Sequence, residues 1–328
     1  MGLCDRTISQ GLDTQDMTDP NVPESSETLD DTDEPSPFRI ALGFFILPLL
    51  MVAAGIGLFM MFGVLAHDNA DPGDYLPALS GNGINEPWQA AFHLSQQLQY
   101  NEQLIGDAEF TGQVVDALQR ADGGDPRVRR FLSIALGRLE HPSAVPVLMT
   151  TTRDEDSETR VNATWALGVI GDPSAATAIV ELLDDDVPAV RTMAAYVLGV
   201  LVNPTAERPL RIALNDTVPA VRWNAAVALA MLGHDGGLET LQRMIDRDHL
   251  SSVPGVNAQD HGTTMLAALR AMERLGAGGF EDKLTDLRDT DPDLRIREAA
   301  RRVLSARQGS VARDVSTLLA QEQYGEPE

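Results

Sequence analysis

Four arginines, Arg129, Arg160, Arg191 and Arg222, stand 31 residues apart, and the phrase around the last two nearly repeats: VPAVRTMAAYVLG from Val187, VPAVRWNAAVALA from Val218. An aspartate stands six residues before an arginine in four places: Asp154 before Arg160, Asp185 before Arg191, Asp216 before Arg222 and Asp291 before Arg297. A guanidinium donates several hydrogen bonds from a fixed fork, so this spacing suits either a row of anion-binding groups or structural pairs that tie turns together. The structural reading is preferred, because buried charges must be paired. The unit centred on Met265 supports it by lacking both members at once: methionine stands in the arginine slot and Gln259 in the aspartate slot.

Few other residues are placed for chemistry. The stretch HLSSVPGVNAQDHG, residues 249–262, holds His249, Asp260 and His261, with Asp246 and Asp248 just before it. Its spacing matches no known ligand motif, so a solvated insertion is expected there rather than a metal site. The sequence has no GxxxxGK, GxSxG or HExxH, the signatures of phosphate loops, nucleophile elbows and zinc proteases. Cys4 is the sole cysteine, which excludes an internal disulfide framework, a cysteine zinc site and a CxxC redox pair. No catalytic residue, metal or cofactor is therefore expected. The formal charge of -24, from 49 acidic and 25 basic residues, argues against a nucleic-acid partner, since phosphate neutralisation needs clustered Lys and Arg.

The elements that carry the arginines are helical in period. Leucine follows each arginine by seven residues (Leu136, Leu167, Leu198, Leu229), with small or apolar residues at three and six after it. That spacing puts one apolar stripe along a helix. Twelve residues after the arginine come His141-Pro142, Asp172-Pro173 and Asn203-Pro204, and a polar cap followed by proline starts a second helix. Each period is thus an antiparallel helix pair that buries its apolar face only by stacking on its neighbours. The ends are less regular. Trp88 to Leu94 fits the pattern with Pro87 in the arginine slot, about a dozen residues are inserted before the Met265 unit, and a last helix runs near Val311 to Gln323.

The phrases DDDVPAVRTMAAYVLGVLVNPTAERPLRIALND and DSETRVNATWALGVIGDPSAATAIVELLDD resemble HEAT repeats of the E-Z type, also called phycobilisome-lyase HEAT-like repeats. The resemblance covers residues 87–323 and implies an all-α, right-handed α-solenoid of about seven helix pairs. It further implies that the Asp and Arg form a ladder along the stack, and that the arginine-bearing helices line the concave side. Proteins with this repeat include scaffolds, adaptors, chromophore lyases and a metal-dependent hydroxylase. The chain has no His-Glu dipeptide, which departs from the hydroxylase pattern.

An apolar stripe at positions -1, +3, +7 and +10 turns positions +1, +5 and +9 away from the core of the pair. Those positions hold Trp165, Val169, Tyr196, Val200, Trp223, Val227 and Met231, besides Arg130, Ile134, Arg138, Val161 and Thr192. An apolar face with two tryptophans suits a peptide or partner helix lying in the groove. Side-by-side packing of neighbouring helices would equally cover these groups. The expectation is a protein-binding scaffold or adaptor, the alternative a chromophore-lyase-like enzyme or enzyme subunit.

The N-terminal part reads differently. Residues 1–38 contain ten Asp or Glu and one Arg, the composition of a disordered acidic tail. From Ile40 to Ala66 there are 27 residues without a charge, about 40 Å as a helix at ~1.5 Å per residue, which predicts a transmembrane helix over 39–66 in contact with the lipid bilayer. Arg39 at its N-terminal end places the tail in the cytoplasm and the repeat domain outside it, as a single-pass protein of the cell membrane. Ala53 and Gly57 form a small-xxx-small pair that would let two such helices dimerise. Residues 67–86, rich in Gly, Pro, Asp and Asn, read as a linker, and 324–328 as a short tail.

Overall fold

The computed structural model describes residues 47–65, 71–80, 86–276 and 278–307. The acidic segment 1–38, the expected helix near 311–323 and the last five residues lie outside them. By contact the chain divides into two units, Met1–Asn69 and Ala70–Glu328.

In the first unit, helix α1 spans Leu47–Leu65, 19 residues without a charge. Among the described residues no helix is long and apolar enough to cross a membrane. This overturns the single-pass placement, with its cytoplasmic N-terminus and extracytoplasmic repeat domain. The lipid contact through residues 40–66 and the dimer through Ala53 and Gly57 lose their basis with it.

The second unit contains no strand among its described residues. Its first helices of each pair are α2 (Pro87–Gln97), α4 (Pro126–Leu139), α6 (Ser157–Ile170), α8 (Pro188–Leu201) and α10 (Pro219–Met231). The second helices are α3 (Ala108–Arg120), α5 (Val145–Thr151), α7 (Ala176–Glu181), α9 (Glu207–Ala213) and α11 (Leu238–Met244). After α11 come α12 (Arg247–Ser252), α13 (Ala258–Leu275), α14 (Glu281–Thr290) and α15, residues 294–307. Thus α13 and α14 make the sixth pair, and α15 is the first helix of a further one.

Local chemistry sets the boundaries. Asp125 and Asp156 cap α4 and α6 by accepting from Arg127 N–H and Thr159 N–H, satisfying donors that no helical carbonyl can reach. His141, Asp172 and Asn203 each cap a 3-10 turn that begins with proline and leads into the short second helix. The residue eleven after each arginine reverses the chain in the left-handed region: Glu140 at φ 51°, Gly171 at 74°, Val202 at 49° and Gly233 at 85°. Only glycine takes this conformation without strain, so Val202 holds a costly backbone imposed by the repeat.

Successive first helices stack, α2 on α4, α4 on α6, α6 on α8, α8 on α10 and α10 on α13. Two apolar clusters result, one running from Tyr75 to Leu229 and one from Ala226 to Val303, and α10 contributes to both. Residues 71–80 join the first cluster: two 3-10 turns, Pro72–Tyr75 and Pro77–Ser80, bury Tyr75 and Ala78. The core therefore takes in residues on the N-terminal side of Glu86.

Close stacking depends on the position eight after Arg129, Arg160 and Arg191, occupied by Gly137, Gly168 and Gly199. A Cβ at Gly199 would stand 2.9 Å from the Ala228 Cα, and one at Gly137 would stand 2.9 Å from the Ala166 Cα and 2.8 Å from the Trp165 ring. Gly→Ala within a helix ordinarily stabilises by about 1 kcal/mol. Here Gly199→Ala should instead destabilise, by about 1–3 kcal/mol as for an overpacked core, read as a lowered urea midpoint.

Candidate functional site

The arginines and aspartates meet across repeats. Arg160 donates from Nε and Nη2 to both carboxylate oxygens of Asp185, at 2.8 and 2.9 Å. Arg191 does the same to Asp216 at 2.7 and 3.2 Å, and Arg129 to Asp154 at 2.5 and 3.0 Å. Each bond joins an arginine to the aspartate 25 residues later, at the start of the next pair. The remaining nitrogen points back: Arg160 Nη1 donates to the carbonyls of Asp154 and Glu155, and Arg191 Nη1 to those of Asp185 and Asp186. Each aspartate in turn accepts a backbone N–H two residues on, from Asp156, Val187 or Val218. That bond replaces the missing side-chain cap of α8 and α10, whose N-caps are valines.

These pairs are largely buried, with 8–14% of side-chain surface exposed. Burial pushes the carboxyls of Asp185 and Asp216 up, but the guanidinium and the backbone N–H outweigh it and hold both below the usual carboxylate value. The Asp216 carboxylate in turn raises Arg191. A parallel bond joins Arg130 to Asp156, the cap of α6, at 2.7 and 2.5 Å.

The ladder changes at the fourth rung. Twenty-five residues after Arg222 stands Arg247, not an acid. Arg247, at the start of α12, donates to both oxygens of Asp291 at 2.8 and 2.9 Å. Arg247, just before the insertion, therefore supplies the guanidinium that the Met265 unit lacks. Sequence reasoning missed Arg247 because it lies outside the 31-residue register; the signal was Asp291, an aspartate in register with no arginine one repeat before it. The position one repeat beyond Arg297 lies outside the described residues. Asp246 and Asp248 flank Arg247, and Asp246 caps α12. His261 is buried in α13 with its Nε2 unpartnered. Among the described residues no group of three or more His, Cys, Asp or Glu is placed to hold a metal ion.

On the outward face of the first helices the seven apolar residues divide. Tyr196 is 54% exposed, Val200 44% and Val169 36%. Trp165, Trp223, Val227 and Met231 are half-buried; Trp165 packs on the first cluster, and Trp223 and Val227 on the second. From Val161 onward α6 carries no charge, and α8 and α10 carry none apart from Arg191 and Arg222. At one end of this face Arg138 donates to the Ser95 carbonyl and to Gln99 Oε1, and burial lowers its guanidinium. At the other, Arg274 Nε donates to the Met231 carbonyl at 3.1 Å.

The stacked pairs and their ladder define an α-solenoid. Residues 114–199 and 179–255 match the family of HEAT repeats. No curated protein sequence matches the chain. Among solved structures, the complex of CpcE and CpcF of phycocyanin lyase from Nostoc sp. PCC7120 is 19% identical, over 74% of this chain and 97% of that one, with a TM-score of 0.49. An engineered protein is also 19% identical, over 72% of this chain and 68% of its own, with a TM-score of 0.48.

The rungs set two expectations. The carboxyls of Asp185 and Asp216 titrate near 3.9 when unfolded and lower when folded, so their contribution is complete above about pH 5 and is lost progressively as pH falls through 3.9 toward the lower folded values. The stability gap between wild type and an Asp185→Asn, Asp216→Asn variant, from urea curves at pH 7 and pH 3, should be wide at pH 7 and narrow at pH 3. Asp291 has 1% of its side chain exposed, so Arg247→Ala leaves a buried charge unpaired. That variant should lose about 3–5 kcal/mol, with hydrogen-exchange protection falling first in α13 to α15.

Proposed function

We propose that this protein is a scaffold that binds another protein along the outward face of its first helices. The observation that supports this is the charge-free strip across α6, α8 and α10, which leaves Val169, Tyr196 and Val200 exposed in a chain of net charge -24. Acidic chains normally cover such surface with solvated groups, and exposed apolar patches that include aromatics are typical of docking sites. Trp165, Trp223, Val227 and Met231 flank the three exposed residues and complete the apolar floor. First helices stack at spacings of about 10 Å, so the strip from α6 to α10 is about 20 Å wide. An extended segment of about six residues at ~3.3 Å each crosses it.

The partner is a peptide or an amphipathic helix that lays an apolar stripe across this floor. HEAT repeats over residues 114–255 supply a rigid backing, since the ladder pairs fix each first helix against the next.

The double variant Tyr196→Ala, Val200→Ser should keep the wild-type urea midpoint, because both side chains are exposed. It should weaken the partner by at least tenfold, about 1.4 kcal/mol. A photo-crosslinker at position 196 should capture the partner, and one at Ile212, 63% exposed on second helix α9, should not. Equal capture from both positions would remove the face from consideration.

A further inference from the structure

The fourth arginine differs from its predecessors in one respect. Arg222 Nη1 donates to the carbonyls of Asp216 and Thr217 at 2.7 and 3.1 Å, matching the 2.7 and 3.3 Å bonds from Arg191 Nη1 to Asp185 and Asp186. The guanidinium is thus anchored from the same side as those of Arg160 and Arg191. In those two the Nε–Nη2 edge grips an aspartate of the next repeat. At Arg222 that slot belongs to Arg247, which is turned to Asp291, and the Nε–Nη2 edge of Arg222 has no acceptor among the described residues. Arg222 is half-buried rather than enclosed, and its neighbour Trp223 begins the apolar strip.

We infer that Arg222 is a carboxylate receptor, whose forked edge takes an Asp or Glu side chain of the bound partner in place of the ladder aspartate. This inference rests on the partner-binding reading of the strip and names the partner's chemistry. The other rungs supply the argument for carboxylate: the same anchored fork holds both oxygens of a carboxylate at 2.7 to 3.2 Å. A guanidinium already oriented by two carbonyls loses little further freedom on binding, and a bidentate pair adds geometric specificity. The acidic carbonyl-bearing turn of Asp216 favours a singly charged group over a doubly charged phosphate. Val227 lies five residues along α10 from Arg222, about 7 Å at ~1.5 Å per residue, so the acid stands two to four residues from an apolar side chain seated on Val227.

The test is selection of a phage-displayed random nonapeptide library on the intact chain, followed by titration of the selected peptides and their Glu→Gln or Asp→Asn counterparts. The expected result is enrichment of one acid two to four positions from apolar residues. Its amide counterpart should bind at least tenfold more weakly to wild type, and the difference should vanish in Arg222→Lys. The lysine keeps a charge to bond Asp216 or Thr217 but cannot fork; Arg222→Gln is the second variant, and both are checked by thermal melting. Apolar peptides without an acid, lost in Tyr196→Ala, Val200→Ser, would overturn the receptor and leave the strip standing. An acid preference that survives in both Arg222 variants would overturn the assignment to Arg222. Failure to enrich any peptide would overturn both readings.

Discussion

A buried guanidinium forked onto a carboxylate one repeat away is the contact on which the array depends. An isolated ion pair at a surface contributes little, and a buried one is costly unless every hydrogen bond is met. Here each rung meets them by serving three turns at once: the arginine grips the next aspartate, Nη1 closes the carbonyls of its own turn, and the aspartate caps the helix behind it. Fixed at both ends, the charge becomes a register device that sets how far one helix pair is displaced from the next.

Packing follows from that register. Once the first helices are held at one offset, glycine recurs where they cross, and Ala228 can sit against the backbone at Gly199. The same offset brings the residue eleven after each arginine to a sharp reversal, which glycine fills in two repeats and Glu140 and Val202 fill under strain. Side chains that point away from this frame are released from structural duty. Across α6, α8 and α10 they are apolar or uncharged, which sets the character of the surface.

Much of this was legible in the sequence because a repeat samples the same environment several times. Leucine at +7, proline after His141, Asp172 and Asn203, and aspartate six before the arginine all recur because each repeat poses the same packing and capping problem. Arg247 was illegible for the converse reason: its role is unique, falls outside the arginine register, and is defined by reach across 44 residues to Asp291. The apolar run before the repeats misled because composition alone reads as a membrane span, whereas among the described residues no helix is long and apolar enough to cross a membrane.

The sequence by itself determined the helix pairs, their period, their capping and the periodic ladder residues, Arg247 excepted, since these are local or periodic properties set by hydrogen-bond satisfaction and apolar spacing. Only the tertiary structure decided which arginine meets which aspartate. Side-chain reach across a stacked interface is a distance: the resemblance implied a ladder along the stack, and the structure set each rung between an arginine and the aspartate 25 residues later. It alone also separated exposed Tyr196, Val200 and Val169 from half-buried Trp165 and Trp223. Accessibility is what remains after neighbouring helices have packed, and each helix's own pattern is the same before and after.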